Sequence, residues 1–122
     1  ADTDMVLLPG GLGGVHSILA SETAMNLIRL AYEKNCLIAA ICAAPTILAS
    51  LHITDGRRAT CYPGLEDQMD AAKMIPCGAV QDGNVITGRA AGSADEFGLA
   101  CLRALKGEDT ARQVASDIVY RA

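Results

Sequence analysis

Two short apolar runs punctuate the first part of the chain. Met5-Val6-Leu7-Leu8 is closed by Pro9-Gly10-Gly11, and Leu37-Ile38-Ala39-Ala40-Ile41 is apolar at every position. Unbroken apolarity over four or five residues, bounded by turn residues, is the pattern of a strand covered by helices on both faces. Between the runs, Ser21 precedes Glu22 and a series Ala24, Leu27, Ile28, Ala31 at helical spacing, which predicts an amphipathic helix capped by Ser21 and ending near Lys34-Asn35. The second run leads directly into a helical segment from Ala43 to about Leu51, with Pro45 suited to its first turn.

Beyond it, Asp55-Gly56 marks a turn, Arg58 to Tyr62 reads as a short strand, and Leu65 to Lys73 as a short helix. The Asp-Gly signal inside Gln81-Asp82-Gly83-Asn84, flanked by Cys77 to Val80 and by Val85-Ile86-Thr87, predicts a hairpin or a paired strand addition. Ser93 caps a helix through about Leu105, Gly107 stops it, and Glu108 to about Val119 forms a last amphipathic helix. Strands alternating with helices predict an α/β sandwich with a mostly parallel sheet. The 122 residues suffice for one domain and no more.

Composition narrows the function classes. Ten Lys and Arg against fourteen Asp and Glu give a net charge of −4, with no basic block to neutralise a run of phosphates, so nucleic acid is not an expected partner. The apolar runs are far shorter than the roughly 20 residues a membrane span needs, so no membrane is expected either. Cys36, Cys42, Cys61, Cys77 and Cys101 are odd in number and contain no C-x-x-C pair. That argues against both a metal site and a secreted disulfide framework, and for reduced thiols in the cytoplasm.

The candidate chemistry lies at Ala40-Ile41-Cys42-Ala43-Ala44, a small-x-nucleophile-x-small pattern at a strand-to-helix junction. Small residues two before and two after let the chain turn sharply and push the thiol out over a helix N-terminus, which favours thiolate. The Ala43 N–H would then face a developing oxyanion. The plain alternative is a cysteine packed at the end of a strand. Pro9-Gly10-Gly11-Leu12-Gly13-Gly14 is a second candidate, a glycine loop whose N–H groups suit an anion or oxyanion, against the alternative of a turn needing positive φ. It lacks the spacing of a dinucleotide fingerprint and the lysine of a P-loop. His16 and His52 read as surface or packing residues, with a cysteine-histidine dyad left to geometry. Cys61, beside Tyr62-Pro63, reads as packing with the option of lining the Cys42 pocket, and the other cysteines as core or interface.

Three segments in this order, Asp4 to Gly11, Leu37 to Pro45, and Gly88-Arg89-Ala90-Ala91-Gly92-Ser93 leading to Glu96-Phe97, resemble the ThiJ/PfpI superfamily, in particular its DJ-one-type deglycase and ThiJ-like branch. The resemblance implies a flavodoxin-like three-layer sandwich, usually a homodimer, with Cys42 as the reactive elbow cysteine and the Gly11 and Ala43 amides as oxyanion donors. Gly10, Tyr62 and Cys61 would border the pocket. It further implies a cofactor-independent and metal-free glyoxalase or deglycase acting on methylglyoxal, glyoxal and their adducts. The alternative is a redox-sensing chaperone in which Cys42 is oxidised to sulfinic acid. Ala43 stands where the protease-like branch carries histidine, which argues against a Cys-His peptidase. Tyr62 stands where human-type relatives place a pocket histidine. An amidotransferase-like regulator would need a DNA-binding module, and these residues contain none.

The family's domain opens with a strand and a helix ahead of the segment matching Asp4, and that helix carries a glutamate bonded to the elbow cysteine. On this resemblance the chain corresponds to the C-terminal two-thirds of the domain. Either the N-terminal segment is absent with its central strand, or it is a separate fragment of the same protein; the expectation is the second, with that fragment as partner.

Overall fold

Both apolar runs form strands. In the computed structural model, which describes residues 3–118 and Tyr120, β1 (Met5–Leu8) pairs in parallel with β2 (Leu37–Ile41), Met5 opposite Leu37 and Leu8 opposite Ala40. The connection holds two helices, α1 (Leu12–Leu19) and α2 (Glu22–Glu33). Ser21 caps α2 as its sequence position predicts, its hydroxyl accepting from Ala24 N at 3.1 Å.

After β2 come α3 (Pro45–Ser50), the two-residue strand β3 (Arg58–Ala59), a 3-10 turn at Glu66–Met69, and β4 (Lys73–Met74). The hairpin strands β5 (Ala79–Asp82) and β6 (Val85–Gly88) follow, then a 3-10 turn at Ala91–Ser93, α4 (Ala94–Lys106) and α5 (Glu108–Asp117). Among the described residues the main sheet has the order β1-β2-β6-β5, parallel except for the β5–β6 hairpin. β3 and β4 form a separate parallel pair.

Side chains alternate across the sheet and so build a core on each face. Leu8, Ile38, Ala40 and Val85 meet Val15, Ile28, Ile47 and Leu48 of α1, α2 and α3. On the opposite face Ala39 and Ile86 meet Phe97, Ala100 and Cys101 of α4, and α5 packs against α4. The result is the predicted three-layer α/β architecture. β2 is central, with Ile38, Ala39 and Ala40 fully buried, which is why its sequence carries no polar position.

Several local expectations are corrected. α1 is a helix where the glycine-rich run gives no helical signal, because Val15, nearly fully buried beneath it, anchors the segment to the core. α3 begins at Pro45 rather than Ala43, since residues 42–44 are used in a turn. The strand expected from Arg58 to Tyr62 is only two residues long, and the helix expected from Leu65 to Lys73 is a four-residue 3-10 turn followed by β4. In the hairpin, Asp82 pairs with Val85, so Gly83-Asn84 makes the turn, with Gly83 at φ 63°. Val119, the expected last residue of the final helix, lies outside the described residues.

The β3–β4 arm is fixed to the sheet by polar contacts. Thr60 N donates to the buried Thr87 Oγ1 at 2.9 Å, and the Arg57 guanidinium donates to Ile53 O, Asp82 O and the Tyr32 hydroxyl at 3.1, 3.0 and 2.8 Å. These bonds place the segment that follows β3, residues 60–65, against the end of β2. Among the described residues no helix is long and apolar enough to cross a membrane.

Candidate active site

β2 ends at Ile41, and the next residue, Cys42, has φ 67°, a left-handed backbone that a residue bearing a Cβ rarely adopts. Neighbouring backbone enforces it. Cys42 N donates to Gly88 O at 3.0 Å, Ala44 N donates to Ile41 O at 3.1 Å, and Tyr62 N donates to Cys42 O at 2.8 Å. The elbow predicted from the small-x-Cys-x-small pattern is therefore formed, at the carboxyl ends of parallel strands where α/β sheets place their ligands.

Gly10 explains the glycine run. A Cβ there would stand 2.5 Å from Cys42 Cβ and 3.2 Å from its Sγ, so only glycine allows the β1 loop to close on the thiol. Gly11, at φ 100°, then caps α1. The two needs are distinct: close approach at Gly10, a positive φ at Gly11. Gly13 and Gly14 serve neither and lie within α1. Among the described residues neither Gly11 N nor Ala43 N donates to another protein group, which leaves both amides available beside the thiol.

Cys42, Ala43 and Gly11 border a cavity of about 340 Å³, whose remaining wall is Leu12 on one side and residues 62–65 on the other. The latter segment is a preset turn. Leu65 N donates to Tyr62 O at 3.1 Å, Pro63 takes the second position, and Gly64 takes the third with φ 100°, the type II pattern. Pro63, Gly64 and Leu65 are thus cavity residues that the sequence reading left out, and Leu12, inside the candidate glycine loop, was given no role of its own. The Pro63-Gly64 pair beside Tyr62 was the available signal for the turn, whereas Leu12 carried none.

Cys61 does not join this cavity. It is buried among Ala59 and Met69, its Sγ donates to Tyr62 O at 3.5 Å, and it faces a separate cavity of about 130 Å³ with Glu66 and Arg89. Burial, with smaller effects from Glu66 and Cys42, pushes its thiol up to about 11, and burial alone does the same to Cys101. His16 is exposed on α1, and His52 is exposed and paired with Asp55 at 3.0 Å. Neither lines the Cys42 cavity, so no cysteine-histidine dyad forms among the described residues. No group of three or more His, Cys, Asp or Glu among them could hold a metal ion.

Comparison with known proteins agrees with this architecture. The sequence profile of the DJ-1/PfpI family matches residues 1–104. The chain is 38% identical to protein DJ-1beta of Drosophila melanogaster over 95% of its own length and 63% of the relative's. It is 37% identical to the Parkinson disease protein 7 homolog of Danio rerio, over 97% and 64% of the two lengths. The crystal structure of Drosophila DJ-1beta superposes with a TM-score of 0.91 at 37% identity, covering 98% of this chain and 65% of that one. An oxidised DJ-1 of Toxoplasma gondii superposes at 0.89 with 26% identity, covering 98% and 65%. The chain therefore spans just under two thirds of the length of the relatives it matches.

Two predictions follow from the geometry. Gly10→Ala is expected to displace the thiol, slowing alkylation of Cys42 by iodoacetamide at least tenfold and costing about 1–3 kcal/mol in urea unfolding. Gly13→Ala, whose Cβ meets nothing within 4 Å, is expected to leave the alkylation rate alone and to stabilise by about 0.5–1 kcal/mol. The second prediction concerns pH. With Cys61 and Cys101 raised from an ordinary 9.0 to about 11, the folded state retains protons that the unfolded state has lost between those values. Stability should fall as pH rises from about 9 to about 11. Urea midpoints at pH 8 and pH 10.5 should therefore separate, and Cys101→Ala should narrow the separation.

Proposed function

This chain belongs to the DJ-1/PfpI family, and from that membership and the geometry of Cys42 we propose that it is a cysteine-dependent, cofactor-independent glyoxalase or deglycase in the carbonyl-stress response. The observation that supports this most directly is a non-glycine residue held at φ 67° with its Sγ against Gly10 at the edge of a cavity. A strained backbone at such a point is the mark of a nucleophile held ready.

In this reading the Cys42 thiolate forms a C–S bond to the aldehyde carbon of methylglyoxal, the carbonyl π pair moves to oxygen, and the Gly11 and Ala43 amides receive that charge. Transfer of the aldehyde hydrogen to the neighbouring carbonyl carbon, through an enediol, turns the hemithioacetal into a thioester. Water then cleaves the C–S bond, releasing the hydroxy acid and regenerating the thiol. No external oxidant or reductant enters. The proton transfers need a relay, and no carboxylate or imidazole lines the cavity among the described residues. The relay is assigned to the glutamate that the resemblance places in the first third of the domain.

The partner reading follows from the same requirement. β1 ends the described sheet, and beside its open edge Leu7 is 48% exposed on one face. On the other face, α2 carries Leu27 and Leu30 at 62% and 50% exposure. An apolar edge strand of this kind needs cover. The proposed cover is the preceding segment of the domain, held as the N-terminal fragment of the same protein, with the whole forming a homodimer in the cytoplasm. Denaturing and native mass spectra test it. The expected result is a second polypeptide in equal amount and a native mass of two copies; a lone 122-residue species in both spectra overturns it.

The second reading, a redox sensor with chaperone behaviour, is favoured by the oxidised state of the solved Toxoplasma gondii relative. There, peroxide oxygen would move to the Cys42 sulfur with release of water, first to sulfenic and then to sulfinic acid. Cys42→Ser separates the two. Hydroxy-acid production from methylglyoxal by the parent protein, falling at least 100-fold in the variant, supports the enzyme. A parent without turnover that gains two oxygens at Cys42 under peroxide supports the sensor and overturns the enzyme.

A further inference from the structure

We infer that Cys61 is the resolving partner of Cys42: when a peroxide oxidises Cys42 to the sulfenic acid, Cys61 closes on it in a reversible intramolecular disulfide before a second oxygen adds. The inference rests on the reading of Cys42 as the reactive thiol, which both proposed functions share. It goes beyond them in giving a second cysteine a chemical role and in naming a different oxidised product.

The backbone carries it. Tyr62 N donates to Cys42 O at 2.8 Å, and Cys61 is the residue before Tyr62. A bond of that kind leaves the Cα atoms of residues 42 and 61 about 5–6 Å apart, inside the span of a disulfide. Both ends are fixed, Cys42 by its N–H bond to Gly88 O and the 60–65 segment by the bond from Thr60 N to Thr87 Oγ1. The charge of a Cys42 thiolate also reaches Cys61, adding to the burial that raises its thiol. No other cysteine is so placed. Cys36 precedes β2 whereas Cys42 follows it, Cys77 donates its S–H to Ala79 O ahead of β5, and Cys101 packs on the far face of the sheet.

In the reduced protein the two sulfurs face different cavities. Closure turns Cys61 about its Cα–Cβ bond, and the contact it gives up is an S–H bond to Tyr62 O at 3.5 Å. In the first step the Cys42 thiolate takes one peroxide oxygen, the O–O bond breaks, and the other oxygen leaves with a proton as water or an alcohol. In the second step the Cys61 sulfur bonds to the Cys42 sulfur, the S–O bond breaks, and the departing hydroxide takes the Cys61 proton as water. One peroxide is reduced and two thiols are oxidised. A buried thiol near 11 reacts slowly with anything that must reach it from solution. Held beside one particular sulfur it needs no encounter, and the high effective concentration of such an intramolecular step offsets its small thiolate fraction. Cys61 therefore stays inert until Cys42 has been oxidised.

The test treats the purified protein, with any companion polypeptide it carries, with hydrogen peroxide and digests it with trypsin in the absence of reductant. Arg57 and Arg58 lie between the two cysteines, so the disulfide joins two peptides, and fragmentation assigns it to Cys42 rather than Cys36. The expected result in the parent is a loss of two hydrogens and a Cys42–Cys61 link, both reversed by dithiothreitol. Cys61→Ser and Cys61→Ala are expected to carry at least tenfold more sulfinic acid at Cys42 than the parent at the same dose. Cys101→Ser, at a thiol that is also buried, is expected to keep the link. Sulfinic acid at Cys42 in the parent without the link, or equal sulfinic yields in the parent and both Cys61 variants, overturns the inference and leaves Cys42 standing as the reactive thiol. A parent whose Cys42 neither links nor gains oxygen overturns the inference and the sensor reading together, and methylglyoxal turnover then decides the enzyme reading alone.

Discussion

Holding a cysteine in the left-handed region costs about 1–3 kcal/mol, and the structure around Cys42 is arranged so that relaxation has nowhere to go. Its N–H is committed to Gly88 O, its carbonyl to Tyr62 N, and its Cβ is pressed against Gly10. Each of these contacts comes from a different part of the chain: the end of β6, the segment after β3, and the loop after β1. The strain at Cys42 is thus sustained by the sheet register that aligns β1, β2 and β6, and by the arm that Arg57 and Thr60 fasten to the hairpin. Gly88 shows how tight that register is. A Cβ there would stand 2.7 Å from Phe97 and 2.8 Å from Ile41, so the end of β6 can approach β2 and α4 only as glycine.

This dependence explains which parts of the molecule were legible in the sequence. β1 and β2 announce themselves as apolar runs because burial on both faces leaves no tolerance for polar residues. Cys42 and Gly10-Gly11 were legible for a related reason: a sharp strand-to-helix turn permits few residue types, and those types were present. α1 was not legible, since Gly13 and Gly14 are poor helix formers and the burial of Val15, a single residue, overrides them. β3 and β4 were misread because a two-residue strand has no period to detect, and its position is set by bonds from the Arg57 side chain and from the Arg58 and Thr60 amides to a distant hairpin. The cavity wall opposite the thiol belongs to that arm, which is why Leu65 and Gly64 escaped a reading that located the turn at Cys42.

Family membership and local geometry bear on different questions. The family fixes the architecture and the place of the elbow. It does not fix the surroundings of the thiol, because the residues forming them, Leu12 and the 62–65 turn, lie on a helix start and a connecting loop where substitutions leave the fold intact. The described walls provide a thiol, two free backbone amides and apolar surface, and nothing that carries a proton apart from the Cys42 thiol and the Tyr62 phenol.

The same division separates Cys42 from the four other cysteines. Cys61 and Cys101 are buried, and burial raises the cost of forming a thiolate until both stand near 11. Cys36 and Cys77 are half-buried, and each donates its S–H to a backbone carbonyl, Thr3 O at 3.2 Å and Ala79 O at 3.3 Å. Cys42 alone opens onto a large cavity with two unpaired backbone amides beside it. The five free thiols therefore differ in what each sulfur faces. For Cys42 that is a space shaped by a glycine which could not be any other residue.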